Sequence, residues 1–386
     1  MQYPIYLDNN ATTKIDPRVL EEMMPFLKDD YGNASSNHEF GVNANKAVKR
    51  ARNQIADLIH CDSHEIIFTS GATEAINLAI KGVLEKHTEK GKHIVTVSTE
   101  HPAVIDCCKY LESKGFEVTY LPVNNDGLLD LDLVKENIRA DTILVAVMLV
   151  NNETGVIQPI KEIAELAHEK GAFFMTDATQ VLGKMHVDVN EMGIDLMAFS
   201  GHKFYGPKGV GALYVRNKRP SPTILEALIH GGGHERGMRS GTMNVPGIVG
   251  LGKAAEIAKT EMKADEERIG ALRTQLENVL LELDDTFVNG NRAQRLYNVS
   301  NICFKGVDAE DLILQTRMKM AVSTGSACSS AAIEPSHVLI SMGLSNELAY
   351  SSIRFSLGKF NTINELTEVE KIVKEVVNNI RKLHEI

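Results

Sequence analysis

The chain has 386 residues, 43% hydrophobic and 24% charged, with a net charge of −10 and no tryptophan. That composition supports a large core in two or three domains and excludes a disordered chain. The negative charge, with no Lys/Arg run interleaved with aromatics, argues against nucleic acid as a partner.

Taken in chain order, Asp16-Pro17 opens a helix running to Leu27, with a cap and a proline at the first helical position. A second amphipathic helix is predicted from Phe40 to Ile59. Between about residues 65 and 216, β-rich runs alternate with helical patterns: EIIFTS, Glu74 to Leu84, HIVTVS, Ala103 to Leu111, FEVTYLPV, Leu131 to Ile138, TILVAVMLV, Ile160 to Glu169, AFFMTD, DLMAFS and GALYVR. Such alternation predicts an α/β domain around a mainly parallel sheet, with several strands apolar on both faces. After the glycine-rich segment 231–242, a long helical pattern from about Gly247 to Leu283 connects to a smaller α+β unit. That unit holds a strand NVSNICF, a helix from Asp308, the loop STGSACSS, a strand SSIRFSL and a final helix opened by the capping-box pair Thr362 and Glu365.

No apolar run approaches the roughly 20 residues of a membrane-spanning helix; the longest, Thr142 to Val150, is strand-sized. The opening MQYPIYLDNNATT lacks the basic start and apolar middle of a secretory signal, so a cytoplasmic location is expected. Cys61, Cys107, Cys108, Cys303 and Cys328 form an odd set without a C-x-x-C pair, which predicts thiols rather than disulfides or a zinc site. The 13 histidines show no ligand spacing, so no metal held by the protein alone is expected.

Three segments carry chemistry. Lys203, in SGHKFYGPKG, falls just past an apolar run, where open α/β sheets place ligands; partial desolvation there favours the neutral amine that forms Schiff bases. Taken alone, a loop lysine is more often a solvated surface charge. Asp177 closes the strand AFFMTD, with Gln180 three residues on; a buried strand-end carboxylate suits a protonated pyridine nitrogen, and reads equally as a helix N-cap. The segment TSGATEAINLAI turns at glycine into a helix, so its backbone N–H groups and the hydroxyls of Ser70 and Thr73 can seat a phosphate, although most such turns only cap helices.

With YLDNNATT (6–13), YGNASS (31–36), GATEA (71–75), TEHPAV (99–104), NNETG (151–155), DATQ (177–180), SGHKFYGPKGVG (200–211), RSGTMNVP (239–246), STGSACSS (323–330) and SIRFSLG (352–358), nearly the whole chain resembles one family. It is similar to the cysteine desulfurases of the nitrogen-fixation and iron–sulfur-cluster type, in the class V group of the aspartate-aminotransferase-like fold that binds pyridoxal 5′-phosphate (PLP). The resemblance implies a large α/β domain over 14–258 with a mainly parallel seven-stranded sheet. It also implies a small domain from 1–13 and 259–386 that includes a mobile loop, 323–335.

The resemblance further implies that Lys203 holds PLP covalently, Asp177 pairs with its ring nitrogen, Gln180 faces its phenolic oxygen and His101 stacks on the ring. Ala72, Thr73, Ser200 and His202 would hold the phosphate, and Thr242 would reach that of a second copy in a homodimer. Asn152 would lie against cofactor or substrate, and Arg354 would clamp the carboxylate of L-cysteine, work suited to a planar two-pronged cation. On their residues alone, His101 reads also as a partly buried loop histidine, Asn152 as a turn residue and Arg354 as an edge-strand residue facing water.

The implied reaction turns L-cysteine into L-alanine. Lys203, freed by the substrate amine, takes the Cα proton, the ring opposite Asp177 absorbs the electron pair, and the Cys328 thiolate accepts the substrate sulfur as a persulfide. His101 assists proton transfer. The small residues around Cys328 predict an exposed, mobile loop, while Cys61, Cys107, Cys108 and Cys303 fall in helical or strand patterns as core or near-surface thiols. The loop resembles the longer family version that passes sulfur to a protein partner, an iron–sulfur scaffold or a sulfur carrier, with Cys328 in contact with the acceptor or a cluster. The competing readings are a selenocysteine lyase or another class V enzyme, and a non-catalytic sulfur-transfer scaffold.

Overall fold

The computed structural model describes residues 4–218, 222–325 and 334–384. Its first part runs β1 (Ile5–Tyr6), α1 (Pro17–Lys28), α2 (Glu39–Ile59), β2 (Ile66–Thr69), α3 (Ala72–Lys86), β3 (His93–Val97), α4 (Pro102–Glu112) and β4 (Glu117–Leu121). It continues with α5 (Leu131–Asn137), β5 (Thr142–Ala146), α6 (Ile160–Glu169), β6 (Phe173–Asp177), β7 (Leu196–Ser200) and β8 (Gly211–Val215). The remainder comprises α7 (Val245–Leu280), β9 (Thr286–Val288), β10 (Val299–Phe304), α8 (Ala309–Thr316), β11 (Met320–Ala321), α9 (His337–Ser341), α10 (Asn346–Tyr350), β12 (Ser352–Ser356) and α11 (Ile363–His384).

Among the described residues, a seven-stranded sheet has the order β2-β8-β7-β6-β5-β3-β4, and only the pairings of β8 are antiparallel. The strands β3, β5, β7 and β8 are buried along their whole length because both faces are covered, while the edge strand β4 is mostly part-exposed. In β7, Met197 and Phe199 enter one core with α2, α5, α6 and the first half of α7, while Leu196 and Ala198 enter another with α3 and α4. The parallel strands end together, which brings Thr69, Val97, Ala146, Asp177 and Ser200 to one edge, the place where open α/β sheets bind ligands.

The helix starts follow the caps. Asp16 Oδ1 accepts from Arg18 N at 3.0 Å ahead of α1, with Pro17 in the first turn. Thr362 and Glu365 bond reciprocally at the start of α11. The apolar run 142–150 is regular strand only to Ala146; Val147–Val150 stay buried, with Val147 N and Leu149 N still donating to Met175 O and Asp177 O of β6, and Val150 makes an isolated bridge to Ile157. Cys61 departs from the expected pattern, since α2 ends at Ile59 and the left-handed His60 turns the chain, leaving Cys61 half-buried in the turn.

A third core gathers β10, β12, α8, α11, the second half of α7 and Leu7 from the N-terminal segment. The buried residues of α7 pass from the large-sheet core to this one between Ala258 and Ile269. On the second half, Glu277 is 1% exposed and meets Arg295 Nη2 at 2.8 Å, Arg292 Nη2 at 3.0 Å and Ser300 Oγ at 2.6 Å. Removing one partner of such a pair strands the other charge in the interior. Glu277→Ala is therefore expected to lower stability by about 3–5 kcal/mol, read as a fall in the midpoint of urea unfolding.

Candidate active site

A cavity of about 470 Å³ opens at the strand-end edge of the large sheet. Lys203, Asp177, Gln180, His101, Asn152 and Arg354 all line it, as do the expected phosphate contacts Ala72, Thr73, Ser200 and His202. Thr242 does not line this cavity; it is exposed on the chain's own surface. Cys328 and residues 326–333 of the expected loop lie outside the described residues, but Gly325, before them in sequence, is on the cavity wall.

Lys203 closes a single 3₁₀ turn directly after β7, and its Nζ donates to the backbone oxygens of Asn10 at 2.7 Å and Ala11 at 2.8 Å. Asp177, 6% exposed at the end of β6, accepts from Thr179 N at 2.9 Å. No helix follows it, because 178–184 forms turns, so the helix-cap reading of Asp177 does not hold. Gln180 Nε2 donates to Asn10 O at 2.9 Å.

His101 caps α4, its Nδ1 accepting from Ala103 N at 3.1 Å, which keeps Nδ1 unprotonated and leaves the ring proton on Nε2. Burial, more than any neighbour, depresses the pKa of His101; Asp177 pulls it up, and Lys203 and His337 push it down. His202 Nδ1 lies 3.1 Å from Thr12 Oγ1. Its pKa falls to about 4 through burial first and then the cations Lys203, Lys208 and Lys184. Behind His101, the fully buried Glu100 has its pKa raised by burial, partly offset by a hydrogen bond from Met148 N.

Helix α3 begins at Ala72 after Gly71, with no side-chain cap, so its first backbone N–H groups are available to an anion beside Ser200 and His202. Arg354 is 3% exposed, which excludes the water-facing reading. Its Nη2 donates to Asp8 Oδ1 at 2.7 Å and its Nη1 to Asn152 O at 3.0 Å, while Nε is buried without a hydrogen-bond partner. Thr179 Oγ1, also on the wall, is buried without one as well. Uncapped amides, a buried carboxylate, an amine and unmatched donors are the chemistry that suits a flat, phosphorylated ring together with a small carboxylate.

The motif YLDNNATT signalled the N-terminal segment, but the parts of Asp8, Asn10 and Ala11 emerge only when that segment crosses the sheet edge. Lys184 carried no signal at all: it is 3% exposed, and its Nζ donates to Gln180 Oε1 at 3.3 Å.

Residues 5–369 match the family model described as Aminotransferase class-V. The cysteine desulfurase IscS of Pectobacterium carotovorum subsp. carotovorum is 52% identical over 387 residues, 99% of this chain and 95% of the relative. A solved NifS-like protein superposes with a TM-score of 0.91 at 38% identity, over 97% of this chain and 99% of its own. A structure titled SspA in complex with cysteine superposes with a TM-score of 0.81 at 40% identity, over 93% of this chain and 100% of its own.

The His202 shift has a pH signature. Its folded pKa of about 4 lies below the ordinary 6.5, so between those values the unfolded chain binds more protons than the folded one. Its contribution is full above about 6.5 and is lost as pH falls toward 4. Urea midpoints of the cofactor-free protein are expected to fall across that window, and His202→Asn is expected to flatten the dependence.

Proposed function

The chain belongs to the aminotransferase class V family, and from that premise we propose that it is a cysteine desulfurase that uses PLP to convert L-cysteine to L-alanine, leaving the sulfur as a persulfide on Cys328. The observation that carries this reading is the convergence of Lys203, Asp177, His101 and Arg354 on one cavity with Gly325 on its wall. When bound, PLP supplies an aldehyde that captures amines and a pyridine ring that accepts an electron pair from Cα.

Lys203 would hold the cofactor and, once released from it, take the Cα proton. Asp177, fixed by Thr179 N, would keep the ring nitrogen protonated. Gln180 would face the phenolic oxygen, and His101 would lie against the ring with its Nε2 proton available for transfer. Ala72, Thr73, Ser200 and His202 seat the phosphate. Arg354 and Asn152 orient the substrate carboxylate, with Asp8 holding the guanidinium in place. The Cys328 thiolate would attack the substrate sulfur, forming the S–S bond of the persulfide as the Cβ–S bond of L-cysteine breaks and leaves its electron pair on the three-carbon fragment, which takes up a proton to become alanine.

Thr242 reaches the phosphate of a second copy in a homodimer, as its exposure and its absence from its own cavity wall support. The large unit spans 14–258 and the small one 1–13 with 259–386, a division supported by the change of core along α7 and by Leu7. The persulfide passes to an iron–sulfur scaffold or a sulfur-carrier protein. The reaction belongs in the cytoplasm; among the described residues no helix is long and apolar enough to cross a membrane.

Incubation with L-cysteine, PLP and a reductant is expected to yield alanine and sulfide in equal amounts. Lys203→Ala is expected to cut alanine formation by roughly 10²–10⁴-fold. Cys328→Ala is expected to abolish the persulfide seen by mass spectrometry while retaining bound PLP; alanine and persulfide at parent levels in that variant would exclude Cys328 as the acceptor. Arg354→Lys keeps the charge but loses the fork, so the KM for L-cysteine is expected to rise roughly tenfold or more.

A further inference from the structure

Lysine is among the residues least often buried, and a fully enclosed ammonium without a carboxylate loses more solvation than one neutral hydrogen bond restores. Lys184 nevertheless sits 3% exposed in the turn after β6. Its hydrogen bond goes to Gln180 Oε1 at 3.3 Å, and the charges acting on it are Lys203 and Arg354, both repelling. Burial first, then those two cations, lower its pKa to about 7. His202 in turn feels the charge of Lys184.

The two contacts of Gln180 determine which way its amide faces. A backbone carbonyl only accepts, so the atom facing Asn10 O must be the amide nitrogen; that turns the amide oxygen toward Lys184, whose Nζ carries an N–H to donate to it whether charged or neutral. The two neighbours agree. One N–H of Nε2 is taken by Asn10 O, and the other remains for the cavity that Gln180 lines.

We propose that Lys184 is a positioning residue: its Nζ holds the Gln180 amide so that an N–H, not the carbonyl, faces the oxygen on the cofactor ring, and in its protonated form its charge beside Lys203 favours loss of the proton from the lysine–cofactor linkage. This rests on the PLP reading above. An apolar side chain of similar length would fill the same space without the donor or the charge, which separates the proposal from a space-filling role.

The test uses the full chain loaded with PLP and follows the pH midpoint of the bound cofactor's visible band, together with PLP affinity. Lys184→Met is expected to raise the midpoint by roughly one unit, because a nearby cation no longer opposes protonation, and to weaken PLP binding. Lys184→Arg keeps charge and donor and is expected to leave the midpoint near that of the parent. Lys184→Gln keeps a donor without the charge, so its midpoint is expected to rise while its affinity stays close to the parent's; should the methionine variant fail to fold, this variant decides. An unshifted midpoint in both uncharged variants, with unchanged affinity, would overturn the proposal while leaving the enzyme reading intact. A parent chain that gains no visible band with PLP would remove both.

Discussion

One carbonyl oxygen holds the site together. Asn10 O accepts from Lys203 Nζ at 2.7 Å and from Gln180 Nε2 at 2.9 Å, so two groups from separate strand ends converge on a single atom of the N-terminal segment. The same residue spends its other polar atoms nearby: Asn10 N donates to Ser356 Oγ, its Nδ2 to Asn152 O, and its Oδ1 accepts from Asn298 Nδ2. A segment with little secondary structure of its own is thereby stitched to the large sheet, to the loop after β5 and to the small core. Arg354 extends the seam by gripping Asp8 and Asn152 together.

That seam explains why the cavity combines groups of opposing preference. Parallel strands delivering their ends to one edge place Asp177 and Ser200 there for topological reasons alone. Cations then accumulate beside them: Lys203, Lys208 and Lys184 act on His202, and Lys203 and Arg354 act on Lys184. Such a concentration of positive charge in a poorly solvated place costs folding free energy and is consistent with a site built to receive an anionic ligand.

Much of the architecture was legible in the sequence because its causes are local. Asp16-Pro17 and Thr362-x-x-Glu365 announce helix starts through caps that need no partner beyond the first turn, and strands such as LMAFS are apolar on both faces because both are covered. The strands β1, β9 and β11, two or three residues each, were not legible, since so short a stretch carries no periodicity and forms only where a distant partner offers an edge. Asn10 and Lys184 were silent for a related reason. Their roles lie in contacts to groups far along the chain or inside a turn, and composition rules place a lysine on the surface. The strand-end position of Asp177 was readable, but whether a helix followed it was not, because the turns of 178–184 are held by surrounding packing.

Helix α7 couples the two cores through one continuous rod of 36 residues, so movement of the small core relative to the sheet must bend that rod or pivot about it. The N-terminal segment adds a constraint in time. Ile5 pairs with Met320, and Asn9 Nδ2 donates to Ser356 O at 2.9 Å, so these partners leave the ribosome more than three hundred residues apart. At translation rates of roughly 5–20 residues per second, the first strand waits on the order of 15–60 s before its neighbour exists. Throughout that interval the large sheet can fold while the leading segment stays unpaired, so the cavity edge that this segment completes is the last part of the site to form.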